Sequence, residues 1–515
     1  MADDVTHYDA VEAYCERLSY LPGEGVALHA WCAVDRFDVE VRRWGGDVVW
    51  SARDIAGVAH PTPDTADARG CEWPAALTIP TSSSWGSGLY LVTLHAHGAA
   101  HDRAYGQAMF VLRAKAESSN PLLVLATNTY NAYNNWGGRS LYTGGHEVCF
   151  DRPFARGTLV RPHTERDDRK SRPALPGEEP DTDGFVYQEF RFEHGYPGAM
   201  SSSGWFTYER RFAEWAERNS IELDYAVSSD LELDPSVVAG RRLVLGVGHD
   251  EYWSAGQRDT IESFVADGGN YASLSGNTMF WQVRLTDGTG GARARRMTAY
   301  KYDAHRDDPV VGTADAASMS GMWCDPIVDR PEWRFLGAGS AYGLYSRFGQ
   351  ATPRASGGFT VYRDGHWMLD GTGLRYGDQL GAAFGAVGYE TVGCRLGLDE
   401  YGLPFAANLD APPHTEIVGV APASNLGAGE YPASVAAKDD QCDLEFVAER
   451  LYGDTSADSI ARVRHGNAVM LTCRPFGDSG GTVATVGTTD WVYALEDAAV
   501  SRVTRNIVER LNRRS

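Results

Sequence analysis

Apolar and polar positions alternate with a period of two through roughly the first 116 residues. In Val26–Val34, the residues Val26, Leu28, Ala30, Cys32 and Val34 fall on one face. Phe37, Val39 and Val41 alternate with Asp38, Glu40 and Arg42, and Leu89–Leu94 and Met109–Leu112 continue the pattern. Successive side chains of a strand point to opposite faces, so this rhythm, interrupted by Gly and Pro turns, predicts an antiparallel β-sandwich over residues 1–116. Beyond the polar link Ala114–Pro121 the texture changes. Leu122–Ala126 is an unbroken apolar run, which predicts a strand covered on both faces. Tyr208–Asn219 has a helical stripe of Phe212, Trp215 and Ala216, and Leu223–Val227 and Arg242–Val247 read as strands. Ser254 stands as an N-cap with Gln257 three residues on, followed by the stripe Ile261, Phe264 and Val265 and the stop Gly268-Gly269. Asn270–Leu274 and Asn467–Thr472 read as strands, and Val500, Val503, Ile507 and Leu511 mark a last helix.

Strands alternating with helices imply right-handed crossovers, so residues 120–515 are expected to form an α/β domain on a parallel sheet. Residues 284–440, rich in Gly, Asp and Arg, are expected to form long loops over it. A second long loop is expected over residues 151–183. The chain has 515 residues and 56.1 kDa, enough for at least two cores. A formal charge of -22 disfavours nucleic acid and anionic membranes as partners. The acidic start Met1-Ala2-Asp3-Asp4 shows no secretory signal, no apolar run reaches spanning length, and eight cysteines lack C-x-x-C pairing. A cytoplasmic protein with free thiols is the resulting expectation. His95 and His97 share a strand face, but no third metal ligand stands near them in sequence, so two strand histidines are the plainer reading.

The candidate chemistry is concentrated in three segments: Thr129–Tyr142, Gly248–Trp253 and Ser275–Asn277. The first crowds tyrosines, asparagines and a tryptophan into one turn-rich stretch, a mixture suited to a pocket wall. Each segment follows the carboxyl end of an expected strand, so all three should meet at one edge of the sheet. Neither a Ser or Cys elbow nor an H-E-x-x-H helix is present. Gly477-Asp478-Ser479-Gly480-Gly481 spells a protease-like string but lacks the accompanying His and Asp context. What remains are phenols, a carboxylate, an imidazole and amides. Phenolate and carboxylate are hard donors that suit Fe(III), and two phenolates with one carboxylate would neutralise a trivalent ion. On composition alone, the plainer reading is that Tyr133 and Tyr142 are ordinary wall residues and Glu251 a buried structural carboxylate.

In the blocks Asn128–Tyr142, Gly248-His249-Asp250-Glu251-Tyr252-Trp253 and Ser275-Gly276-Asn277, the chain resembles the large (beta) subunit of N,N-dimethylformamidase and its relatives. The resemblance implies a domain like the class I glutamine amidotransferase fold and a mononuclear iron held by two tyrosinates and a glutamate. Carried over, Glu251 becomes the carboxylate ligand, with Tyr133 and Tyr142 as the phenolates, Tyr130 in reserve and Tyr187 as an outside candidate. His249 becomes either a residue that supports the metal ligands or one that transfers a proton, and Asn277 a polar contact to substrate or water. The expected activity is hydrolysis of a small amide or formamide-type C–N bond, with a small helical subunit and self-association as candidate partnerships. The alternative is a non-enzymatic protein that binds carbohydrate or another ligand.

Overall fold

The computed structural model describes residues 7–114, 118–161, 196–197, 202–288, 293–348, 352–353, 355–408, 410–431 and 443–513. Near the N-terminus a three-stranded sheet (Val11–Cys15, Gly25–Cys32, Ala75–Pro80) lies against a five-stranded one. The latter runs Ser19–Tyr20, Tyr105–Leu112, Gly88–Ala96, Arg36–Arg43, Val48–Ala56. The in-facing residues Val26, Leu28, Phe37, Val39, Val41, Val92 and Leu94 are buried in one shared core, as their alternation requires.

Among the described residues the central sheet has eleven strands. Five of them are parallel neighbours, in the order Asp224–Val227, Leu122–Leu125, Leu243–His249, Asn270–Gly276, Val483–Thr485. Every residue of Leu122–Leu125 and Leu243–His249 is buried, which explains their unbroken apolar character. Ser254 caps the helix Ala255–Ala266 by accepting the Gln257 N–H at 3.2 Å. Ile261, Phe264 and Val265 face the core, and Gly268 (φ 93°) ends the turn. In the last helix, Ala498–Leu511, the stripe Val500, Val503, Ile507 and Leu511 is buried.

The expected parallel-sheet domain like class I glutamine amidotransferase is overturned. After Val483–Thr485 the sheet turns antiparallel through His465–Cys473, Glu416–Ser424, Tyr345–Ser346 and Tyr389–Glu390. A hairpin of Phe359–Val361 and Gln379–Leu380 joins Glu416–Ser424 at its side, and two further sheets of four and two strands lie outside the central one. The cause lies largely in residues 284–440. Apart from Glu416–Ser424, most of their strands are two or three residues long, too short to show a period yet long enough to pair once Glu416–Ser424 lines the sheet.

The chain order of the first strands has a positional consequence. Leu122–Leu125 lies between Asp224–Val227 and Leu243–His249, so its two neighbours are reached in opposite directions along the sheet. The chain parts at the carboxyl ends of such strands and leaves a crevice there.

Candidate functional site

The crevice is filled from the Leu122–Leu125 side by the short helix Thr127–Tyr133, all of whose residues are buried. Thr129 fixes the second segment: its hydroxyl oxygen accepts the Glu251 N–H at 3.0 Å and the Tyr252 N–H at 3.4 Å. The Glu251 carboxylate then collects donors. Tyr133 donates to Oε2 at 3.0 Å, Tyr142 reaches Oε1 at 2.9 Å and Oε2 at 3.0 Å, and the Trp281 indole donates to Oε1 at 2.8 Å. The Tyr133 and Tyr142 rings stack at 4.2 Å with 20° between planes. Tyr252 donates to the Tyr142 oxygen at 2.8 Å, and the Lys301 ammonium sits 3.2 Å from the Tyr142 ring centroid.

His249 is held on both sides. Its Nδ1 lies 2.6 Å from the Ser202 carbonyl oxygen, which can only accept, so Nδ1 carries a hydrogen. Nε2 lies 2.7 Å from Glu390 Oε2 and 3.3 Å from Glu251 Oε2. A bare Nε2 lone pair facing two carboxylates would be repelled, so the imidazolium is the favoured form. Burial opposes that charge, but Glu390 and Glu251 outweigh it and raise the His249 pKa to about 10. Asn277 (φ 48°) donates from Nδ2 to Glu390 Oε2 at 3.1 Å, and its Oδ1 accepts from the Ser340 hydroxyl at 2.7 Å. Gly276 beside it permits this approach, since a Cβ there would stand 2.3 Å from the Glu390 carbonyl oxygen.

The two phenols respond to the same surroundings. Burial and then the Glu251 charge hold Tyr133 and Tyr142 well above the ordinary phenol range. Burial disfavours the Glu251 carboxylate too, but His249, Lys301 and Tyr142 together hold its pKa below the usual value. The phenols are therefore protonated beside an ionised carboxylate. Two carboxylates, Glu251 and Glu390, balance the His249 and Lys301 cations, so the cluster is close to neutral.

Tyr133, Tyr142, Glu251, His249 and Asn277, drawn from three separate segments, thus sit in one contiguous cluster. Tyr130 does not join Glu251. It is fully buried and feels the charges of Glu209 and Asp250. Tyr187 lies outside the described residues. Sequence reasoning missed Glu390, Lys301, Trp281 and Tyr252. The last two stand within or just after the segments singled out, and their aromatic character was the available signal. Glu390 and Lys301 come from the stretch read as loops, where nothing in the pattern marks them.

A family model described as "N,N-dimethylformamidase beta subunit-like, C-terminal" matches residues 36–505. No curated protein matches the chain. Among solved structures, a β-D-glucuronidase of Dictyoglomus thermophilum aligns at 6% identity with a TM-score of 0.14, over 52% of this chain and 44% of that one. The present chain therefore accounts for less than half of that structure's length, and so weak a likeness carries no argument about fold or activity. The family match is different in kind, because it runs through all three segments that meet at Glu251, and on its extent the chain belongs to the N,N-dimethylformamidase beta subunit-like, C-terminal family.

Proposed function

We propose that this protein is a dimethylformamidase-like amide hydrolase, and that Tyr133, Tyr142 and Glu251 hold a mononuclear ferric ion. The observation that carries this is the convergence of two phenol oxygens on one buried carboxylate at 2.9–3.0 Å. The donor set fits the ion: all three donors are hard oxygens, and loss of two phenolic protons would give three negative charges for a trivalent cation. When bound, such an ion supplies Lewis acidity to an amide carbonyl and makes a coordinated water more acidic.

The chain's own residues divide the remaining work. Trp281 and Thr129 orient Glu251 through its side chain and backbone. His249, protonated at Nδ1 and Nε2, is placed to pass its Nε2 proton to a leaving amine, and Glu390 at 2.7 Å holds that proton in position. Asn277 fixes Glu390 from the other side. Glu251, His249 and Asn277 are all buried, which keeps bulk water away from the reacting groups. The family description names a beta subunit, which supports assembly with a small helical subunit or with further copies. A carbohydrate-binding module would offer exposed ring faces, whereas Tyr133 and Tyr142 stack against each other.

The test joins metal analysis to activity. The purified protein is expected to contain about one iron per chain, to show a visible tyrosinate-to-iron absorption, and to release amine from a member of a panel of small amides. Glu251→Ala and Tyr142→Phe are each expected to lower amide hydrolysis by about a hundredfold or more, with the absorption lost in Glu251→Ala and weakened and shifted in Tyr142→Phe, which keeps the Tyr133 phenolate. Full iron content and full activity in Glu251→Ala overturn the proposal.

A further inference from the structure

The sheet near the N-terminus carries a second cluster of metal-type donors that shares no residue with the Glu251 site. Strands Arg36–Arg43 and Gly88–Ala96 pair antiparallel, with Asp38 directly opposite His95. The His97 N–H bonds to the Arg36 carbonyl at 2.9 Å, so the ladder continues one residue past the strand. His97 therefore returns to the face of His95. The opposite face carries Phe37, Val39, Leu94 and Ala96, which are in the core, so Asp38, His95 and His97 project outward together.

Their donor atoms lie within 4.8 Å of one another. His97 Nε2 is 2.9 Å from Asp38 Oδ1. The His95 ring stacks on Tyr105 at 4.9 Å, and its centroid is 6.0 Å from that of His97. Asp38 is oriented from a third strand. The pairing of Arg36–Arg43 with Val48–Ala56 shifts register between Phe37 and Val39, and Asp54 takes φ 58°. That bulge directs the Asp54 N–H onto Asp38 Oδ1 at 2.8 Å. A carboxylate aimed by a backbone donor is the kind of support that metal ligands receive. The Arg53 guanidinium also approaches Asp38 Oδ2, but at 3.5 Å, the outer limit of a hydrogen bond, it holds the carboxylate loosely.

We propose that Asp38, His95 and His97 form a binding site for a divalent transition-metal ion of the zinc class. Two imidazoles and one carboxylate are the donors such an ion prefers, and a fourth position stays open to water or a ligand. The contrast with Tyr133, Tyr142 and Glu251 is chemical: hard oxygens there suit a trivalent ion, and nitrogen donors here suit a softer divalent one. The bound ion would clip Arg36–Arg43 to Gly88–Ala96 from outside. His146, Asp303 and Asp307 form a comparable cluster. There Arg306 already pairs with Asp303 at 2.7 Å and Asp307 at 2.8 Å, so that cluster serves as the control.

The test titrates the full chain with Zn2+ by calorimetry and with Co2+ by visible absorption. His95→Ala, His97→Gln and Asp38→Asn are compared with His146→Ala. The wild-type protein is expected to bind Zn2+ and to develop a Co2+ ligand-field band. Each of the first three substitutions should weaken Zn2+ by at least about tenfold and remove the band, while His146→Ala and the rate of amide hydrolysis stay unchanged. The histidines are exposed, so circular dichroism should show an intact fold. Zn2+ binding that persists in His95→Ala and His97→Gln, or that falls equally in His146→Ala, overturns the site.

Discussion

Buried carboxylates recur through this protein, and their partners decide what each one does. Glu251 is surrounded by donors and stays ionised. Glu332, fully buried, accepts the Ser340 N–H at 3.1 Å and lacks comparable company. Burial raises its pKa from 4.5 to about 7, with backbone donors and Arg258 only partly opposing. The sign follows from linkage: the folded state binds this proton more tightly than the unfolded chain. Stability from Glu332 is therefore intact below pH 4.5 and lost as pH rises through about 7. The loss is about 3 kcal/mol at most. Glu332→Gln, neutral at every pH, should match the wild type near pH 4.5 and become the more stable protein above pH 7. Urea denaturation across that range checks it, and a difference that does not grow with pH contradicts the account.

Single elements were most legible where their ends carried chemistry. The Ser254 and Gln257 pair marked the start of Ala255–Ala266 because a hydroxyl can take a backbone N–H that the helix leaves unbonded. The last helix starts by the same device, though its stripe alone gave it away. Asp497 Oδ1 accepts the Ala499 N–H at 2.8 Å and the Val500 N–H at 3.1 Å. Asp497→Ala should cost about 1 kcal/mol, measured as a lowered denaturation midpoint with unchanged amide hydrolysis. Less legible were elements that exist only as partners. Tyr389–Glu390 is two residues long and pairs with Tyr345–Ser346. No period fits into two residues, so the strand that brings Glu390 to His249 was invisible.

Across the whole molecule, the N-terminal sheets and the central sheet are joined by buried polar contacts as well as packing. The Trp136 indole donates to Glu12 Oε2 at 3.0 Å, and its ring stands edge-on to Trp73 at 5.6 Å. Trp136 is 1% exposed, so Trp136→Ala should cost about 3–5 kcal/mol through the cavity and the lost donor to Glu12. A loss under about 1 kcal/mol in chemical denaturation would show the junction to be softer than its packing implies. Local facts were already legible in the residues. These are the alternation that buries Phe37, Val39 and Val41, the apolar run of Leu122–Leu125, the helix stripes and caps, and the crowding of Tyr133, Tyr142, His249 and Glu251 at or beyond the carboxyl ends of strands. All of these depend on neighbours within a few residues, where periodicity and hydrogen-bond geometry act. The fold, by contrast, is what continues the parallel strands into antiparallel ones. It alone set Glu390 and Lys301 beside the cluster and Asp38 beside His95. The reason is that strand direction and cross-strand neighbours depend on how distant segments pair, and a pairing 113 residues long in chain separation, as between Asn277 and Glu390, leaves no mark on the local pattern of either partner.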